Sequence, residues 1–156
     1  LRGGTVLAEG IGEQLTPLAP LPSYPLVIAK GNEGISTPEA YRRIDAVSAP
    51  LPPDTDNVLD NLSRGAEALF SVCGCHFDAV TDLPEVETIR RVMREQGRNP
   101  VLSGSGAAVY AGCSDVQQAE RCADALRAAG LPFVTVCETV PDGIRCADLS
   151  TICTET

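Results

Sequence analysis

The stretch NPVLSGSGAAVYAGC, Asn99 to Cys113, constrains the chain most. An apolar run leads in, an alternating run leads out, and only Ser103, Gly104, Ser105 and Gly106 separate them. Four residues cannot carry a chain across a sheet, so the two flanking strands are neighbours and run antiparallel. Any fold for this sequence must contain that strand pair.

The remaining segments fit around it. GTVLAE (4–9) reads as a short strand, and GIGEQLTPL supplies turn glycines and a second extended piece ending at Pro17. PLAPLPSYP (17–25) is a proline-rich connector that cannot be helix. PLVIAK (25–30) is an apolar run of strand length, and GNEG after it is a turn. In ISTPEAYRRID, Ser36 or Thr37 can cap a helix, Pro38 suits its first turn and Glu39 its positive end; the helix runs to about Ile44. APLPPDTD breaks it, and Val58, Leu62, Ala66 and Leu69 give a helical stripe over 56–71. Asp82-Leu83-Pro84-Glu85 is a capping arrangement before a helix whose inner face is Val86, Ile89 and Val92 or Met93, closed by Gly97. Ser114 and Gln117 form a capping-box pattern before a helix faced by Val116, Ala119, Ala123 and Leu126, which stops at Gly130 and Pro132. PFVTVCET is a last strand, and the tail after it lacks periodicity. The order predicts an α+β fold: a mostly antiparallel sheet with helices on one face and no internal repeat.

The chain has 156 residues, enough for one domain with a real core. Its formal charge of -9 argues against a general nucleic-acid or anionic-membrane binder. No apolar run reaches membrane-spanning length and no signal peptide opens the chain. It starts at Leu1, not Met, as expected of a piece of a longer protein or a trimmed chain. The proline connector is the one candidate linker, dividing an N-terminal segment, 1–24, from a domain over 25–156. The cysteines at 73, 75, 113, 122, 137, 146 and 153 are odd in number. Cys73-Gly74-Cys75 can be two ligands or a redox pair. The plainer reading is small core residues in a reducing cytosol, with His76 a lone histidine beside them.

SGSG admits two readings. Glycines permit positive φ and close approach of backbone N–H groups to an anion, and Ser103 and Ser105 can donate to phosphate oxygens. A tight turn between buried strands wants the same glycines. The stretch is not a Walker loop, since Gly-Lys-Ser/Thr is absent, nor a dinucleotide fingerprint, since strand follows it. GISTPEAY is either a helix start that holds an anion or polar ligand, or a capped surface helix. Glu9 and Glu13 are either an acid–base pair or solvated turn carboxylates, and Lys30 at a strand end reads as solvated. No metal site is expected.

GGTVLAEGIGEQLTPL, PLVIAKGNEGISTPEAYRRID and PVLSGSGAAVYAG, in this order and spacing, resemble the C-terminal half of the 4-diphosphocytidyl-2-C-methyl-D-erythritol kinases, of the GHMP kinase superfamily. The resemblance covers most of residues 3–138; the SGSG stretch is shared across the superfamily. It implies a ferredoxin-like C-terminal lobe, with the main ATP loop and the catalytic Asp and Lys on an N-terminal lobe whose motifs are not found here. No catalytic residue is therefore assigned to this chain. It further implies that Ser103, Gly104, Ser105 and Gly106 lie on the phosphate side, that Ile35, Ser36 and Thr37 lie towards the cytidine-bearing substrate, and that the complete enzyme uses ATP with Mg2+ in the cytoplasm, for non-mevalonate isoprenoid synthesis. The expected partners are the N-terminal lobe and a small-molecule substrate, with self-association of the piece alone. Two departures are visible: Gly31 where the family usually has proline, and Cys75-His76-Phe77-Asp78 in place of an Asn-Asp-Phe-Glu-like segment.

Two other readings compete. One is a stand-alone ferredoxin-like module that binds a small anion or a partner without catalysis. The other is a homoserine or mevalonate-type kinase, against which GEQLTPL and ISTPEAY argue.

Overall fold

The computed structural model describes residues 4–47 and 54–141. They fall into two compact units, one formed by residues 4–23 with 140–141 and the other by Tyr24–Thr139.

In the first unit, β1 (Val6–Glu9) and β2 (Gln14–Pro17) pair antiparallel as a two-stranded hairpin, with Val6 opposite Pro17 and Glu9 opposite Gln14. Glu13 turns back to accept the Ile11 amide at 2.7 Å, so it serves the hairpin turn and does not pair with Glu9. The proline connector begins against the hairpin: the Leu18 amide donates to Thr5 O and the Leu21 amide to Thr5 Oγ1.

The second unit is built on a four-stranded sheet in the order β4-β5-β3-β6, antiparallel throughout. Its strands are β3 (Pro25–Lys30), β4 (Val101–Leu102), β5 (Ala108–Gly112) and β6 (Phe133–Glu138). Helices α1 (Thr37–Asp45), α2 (Thr55–Ser63), α3 (Ala66–Val72) and α4 (Pro84–Glu95) lie between β3 and β4 in sequence, and α5 (Val116–Ala128) between β5 and β6. This is the βαββαβ order of a ferredoxin-like fold.

Register and alternation fix the core. Val27 sits opposite Ala111 and Val136, and Ala29 opposite Val109 and Val134, so these side chains share one face. That face buries Val86, Ile89, Val92 and Met93 of α4 and Ala119, Cys122, Ala123 and Leu126 of α5. The antiparallel sheet is as expected, and α4 and α5 pack on this one face, but the helices do not all share it. On the other face, Phe70 of α3 lies over Gly112 and meets Tyr110 edge-on, with ring centroids 6.3 Å apart.

Four local expectations change. The stripe over 56–71 is two helices, because Gly65 adopts φ +110° and ends α2 before α3 begins. Leu83, not Asp82, precedes α4 as its cap residue and makes no side-chain capping bond; Asp82 is drawn instead to Arg43, at 2.7 Å. The cap of α5 shifts by one residue and is not a capping box: Asp115 accepts the Gln118 amide at 2.7 Å, while Gln118 Oε1 accepts the amide of Ser114, before the cap, at 2.8 Å. Val116 is 48 % exposed at the first residue of α5, and Cys122 takes the inner position in its place. The tail from residue 142 onward, with Cys146 and Cys153, lies outside the described residues.

Candidate functional site

The turn at Ser103–Gly106 joins β4 to β5, which are neighbours as the short loop demands. Ser103 donates its amide to Ala108 O at 2.8 Å, and Gly106 donates to Ser103 O at 3.3 Å, which closes the turn. Gly104 and Gly106 have φ of +60° and +96°, a region that side chains resist. Among the described residues, the amides of Gly104 and Ser105 have no protein acceptor. A Cβ added at Gly104 would meet nothing within 4 Å, so the backbone there is open to approach.

The second sequence-predicted segment arrives at the same place. Ser36 caps α1, its Oγ accepting the Glu39 amide at 3.4 Å, while Ile35 beneath it is buried. Thr37, the first residue of α1, brings Oγ1 to 3.3 Å from Ser105 Oγ. Gly34 stands close as well: a Cβ on it would lie 3.7 Å from Gly106 O and Ala107 N. The turn and the start of α1, 68 residues apart in sequence, therefore form one surface with three hydroxyl side chains, Thr37, Ser103 and Ser105, and free backbone donors. That set can hydrogen-bond the oxygens of an anion or a polyol. Among the described residues no group of three His, Cys, Asp or Glu side chains is placed to hold a metal ion.

Three supports for this surface were not read from sequence in that role. Cys75 Sγ donates to Gly104 O at 3.5 Å, bringing the Cys75–Asp78 segment against the turn. Asp78 accepts the Cys75 amide at 3.1 Å and pairs with the buried Arg90 at 2.6 Å; Arg90 also pairs with Glu87 and donates to Thr81 O. Burial pushes the Cys73 and Cys75 thiols up from their ordinary pKa, away from the thiolate form that a metal or a redox reaction needs. Arg43 of α1 reaches Glu39, Val80 O and Asp82, and Tyr41 meets Phe77 edge-on at 5.1 Å, which locks α1 to the His76–Val80 turn. The sequence signal for Arg90 was absent: a helix arginine normally reads as solvated.

A 120 Å³ pocket lies near the other end of β5, lined by Glu67, Phe70, Ser71, Arg98, Asn99 and Gly112 among others. Its polar groups serve the fold. Arg98 pairs with Glu67, which also accepts from Tyr24, and Asn99 donates to Phe70 O and Cys73 O.

No family model matches the chain. It is 38% identical over 132 residues to a 4-diphosphocytidyl-2-C-methyl-D-erythritol kinase of Moorella thermoacetica, covering 80% of this chain and 46% of the relative. A kinase of the same name from Lachnospira eligens is 36% identical over 134 residues, covering 83% and 46%. The chain thus spans about half the length of the curated relatives it matches. A crystal structure of 4-(cytidine 5'-diphospho)-2C-methyl-D-erythritol kinase superposes with a TM-score of 0.60 at 28% identity, over 85% of this chain and 48% of that one. L. major mevalonate kinase and the homoserine kinase of Cytophaga hutchinsonii share the fold, with TM-scores of 0.59 and 0.62 at 20% and 17% identity.

Proposed function

We propose that this chain, which matches the C-terminal half of the 4-diphosphocytidyl-2-C-methyl-D-erythritol kinases, works as the C-terminal lobe of such an enzyme. In this reading the complete enzyme transfers the γ-phosphoryl group of ATP to a hydroxyl of the diphosphocytidyl sugar alcohol, a cytoplasmic step of non-mevalonate isoprenoid synthesis. The phosphorus–oxygen bond to ADP breaks, a new one to the acceptor oxygen forms, and the hydroxyl proton leaves to a base on the N-terminal lobe. One observation supports the reading above the others: the turn and the start of α1 meet through Ser105 and Thr37.

ATP with Mg2+ supplies the phosphoryl group and neutralises much of its charge. The free Gly104 and Ser105 amides and the Ser103 and Ser105 hydroxyls suit phosphate oxygens, and their fixed direction lets them stabilise charge without reorganising. Thr37 and Ser36, on the start of α1, orient the acceptor. Arg43 and the Arg90–Asp78 pair keep these two surfaces in register.

The test is ADP formation with Mg-ATP and 4-diphosphocytidyl-2-C-methyl-D-erythritol. A full-length polypeptide carrying this chain is expected to turn over at roughly 1–100 per second, and this chain alone not at all. Turnover by the chain alone overturns the lobe assignment. No turnover by the full-length polypeptide, with retained binding of inorganic phosphate, favours the stand-alone binding module.

A further inference from the structure

The chain has no regular structure between Lys30 and Thr37, so the backbone donors there need partners from elsewhere. Glu85, in the first turn of α4, provides them. Its Oε2 accepts the amides of Asn32 at 2.7 Å and Glu33 at 3.3 Å, and its Oε1 accepts Asn32 Nδ2 at 2.9 Å. The fit includes Gly31. A Cβ at that position would stand 2.7 Å from both Glu85 Cβ and Cδ, which real side chains do not tolerate. Gly31 is not in the left-handed region, so glycine is required there by the approach of Glu85 and not by the backbone. Farther along, Gly34 abuts Gly106 and Ala107, and Thr37 meets Ser105. One carboxylate therefore anchors one end of a line of contacts whose other end is the Ser103–Gly106 turn.

We infer that Glu85 is a positioning residue: its carboxylate fixes the β3–α1 loop so that Thr37 is held against the Ser103–Gly106 turn. What that surface binds rests on the function proposed above; the coupling between Glu85 and the turn does not. Amides of Glu33 and Asn32 hold Glu85 below the usual carboxylate range. The clefts on its two sides are lined by Asn32, Glu33, Leu83 and Pro84 and by Thr88 and Ala129–Leu131, among which Glu33 is the ionisable residue. A depressed pKa means the clamp is complete above the ordinary glutamate value and is lost as pH falls through the lowered one.

Amide hydrogen exchange on the whole chain, corrected for intrinsic rates, tests this. Glu85→Gln is expected to speed exchange at Asn32 and Glu33 by about 10-fold or more, and measurably at Ser103 and Gly106 as well, while Ile89 and later α4 amides keep their protection. Gly31→Ala, which expels the carboxylate sterically, should loosen the same four positions, and the double variant should be no worse than either single one. In the unaltered chain, protection at Asn32 and Glu33 should hold from neutral pH down past the ordinary glutamate value and fall only at lower pH; in Glu85→Gln it should not change over that range. Loosening confined to Asn32 and Glu33, with Ser103 and Gly106 untouched, overturns the inference. So does additivity of the two substitutions. These outcomes do not depend on turnover, so failure of the kinase reading is scored separately.

Discussion

At the residue scale, the two glycines of the turn are not equivalent. Gly104 has open space where a Cβ would go and a φ of +60°, which Asn tolerates better than other side chains. Gly106 has φ +96° and Leu102 Cδ1 at 3.4 Å and Thr81 Cγ2 at 3.7 Å from its Cβ position. Gly106→Val therefore combines backbone strain with contact against a buried leucine and should cost roughly 1–3 kcal/mol, read by urea unfolding. Gly104→Asn should cost clearly less. In a full-length polypeptide carrying this chain, with the kinase activity proposed above, turnover per folded molecule separates the two readings of the turn. A phosphate-side loop loses turnover in Gly106→Val beyond its unfolded fraction; a plain hairpin turn melts early and turns over normally.

At the element scale, the helix caps differ in geometry. The Asp115 carboxylate accepts the Gln118 amide at 2.7 Å, while Ser36 accepts the Glu39 amide at a weak 3.4 Å. Asp115→Ala should lower stability by about 1 kcal/mol and Ser36→Ala by distinctly less, measured as shifts in denaturant midpoint at unchanged m-value. Equal losses would mean that cap distance does not set the contribution. The α5 cap was readable but landed one residue early, because Ser114 and Gln117 carry the same spacing as Asp115 and Gln118 and only geometry chooses between them. The strand at 25–30 was legible from an apolar run of strand length and the one at 108–112 from alternation. The split at Gly65 was less so, since an apolar stripe continues past a single glycine without recording its φ. For the site, SGSG and Ile35–Thr37 were legible as segments. Their meeting through Thr37 and Ser105 was not, and neither was Glu85, because a glutamate in a first helical turn already has a local reason to be there.

At the scale of the whole molecule, the hairpin β1–β2 is the part whose surroundings decide behaviour. Among the described residues it has two strands only, so each strand leaves one edge without a described partner strand, and such a hairpin is marginal by itself. Ile11 at its tip is 100 % exposed and Leu15 on β2 is 44 % exposed. Val6, Leu7 and Leu18 are half-buried and add apolar area beside them. The chain alone should therefore self-associate through this hairpin, shown by a weight-average mass that rises with concentration in sedimentation equilibrium. The formal charge of -9 opposes that association over a distance set by the Debye length, about 10 Å at 0.1 M salt and about 30 Å at 0.01 M. Association driven by apolar and edge contacts should strengthen as salt rises over that range, and association through ion pairs should weaken. Replacing Leu15 by Glu places a charge on an exposed strand and should restore a monomer without lowering the stability of the four-stranded sheet, whose core lies in other elements. A strict monomer at the highest concentration reached, in high salt, would refute the prediction; so would an oligomer that Leu15→Glu leaves intact.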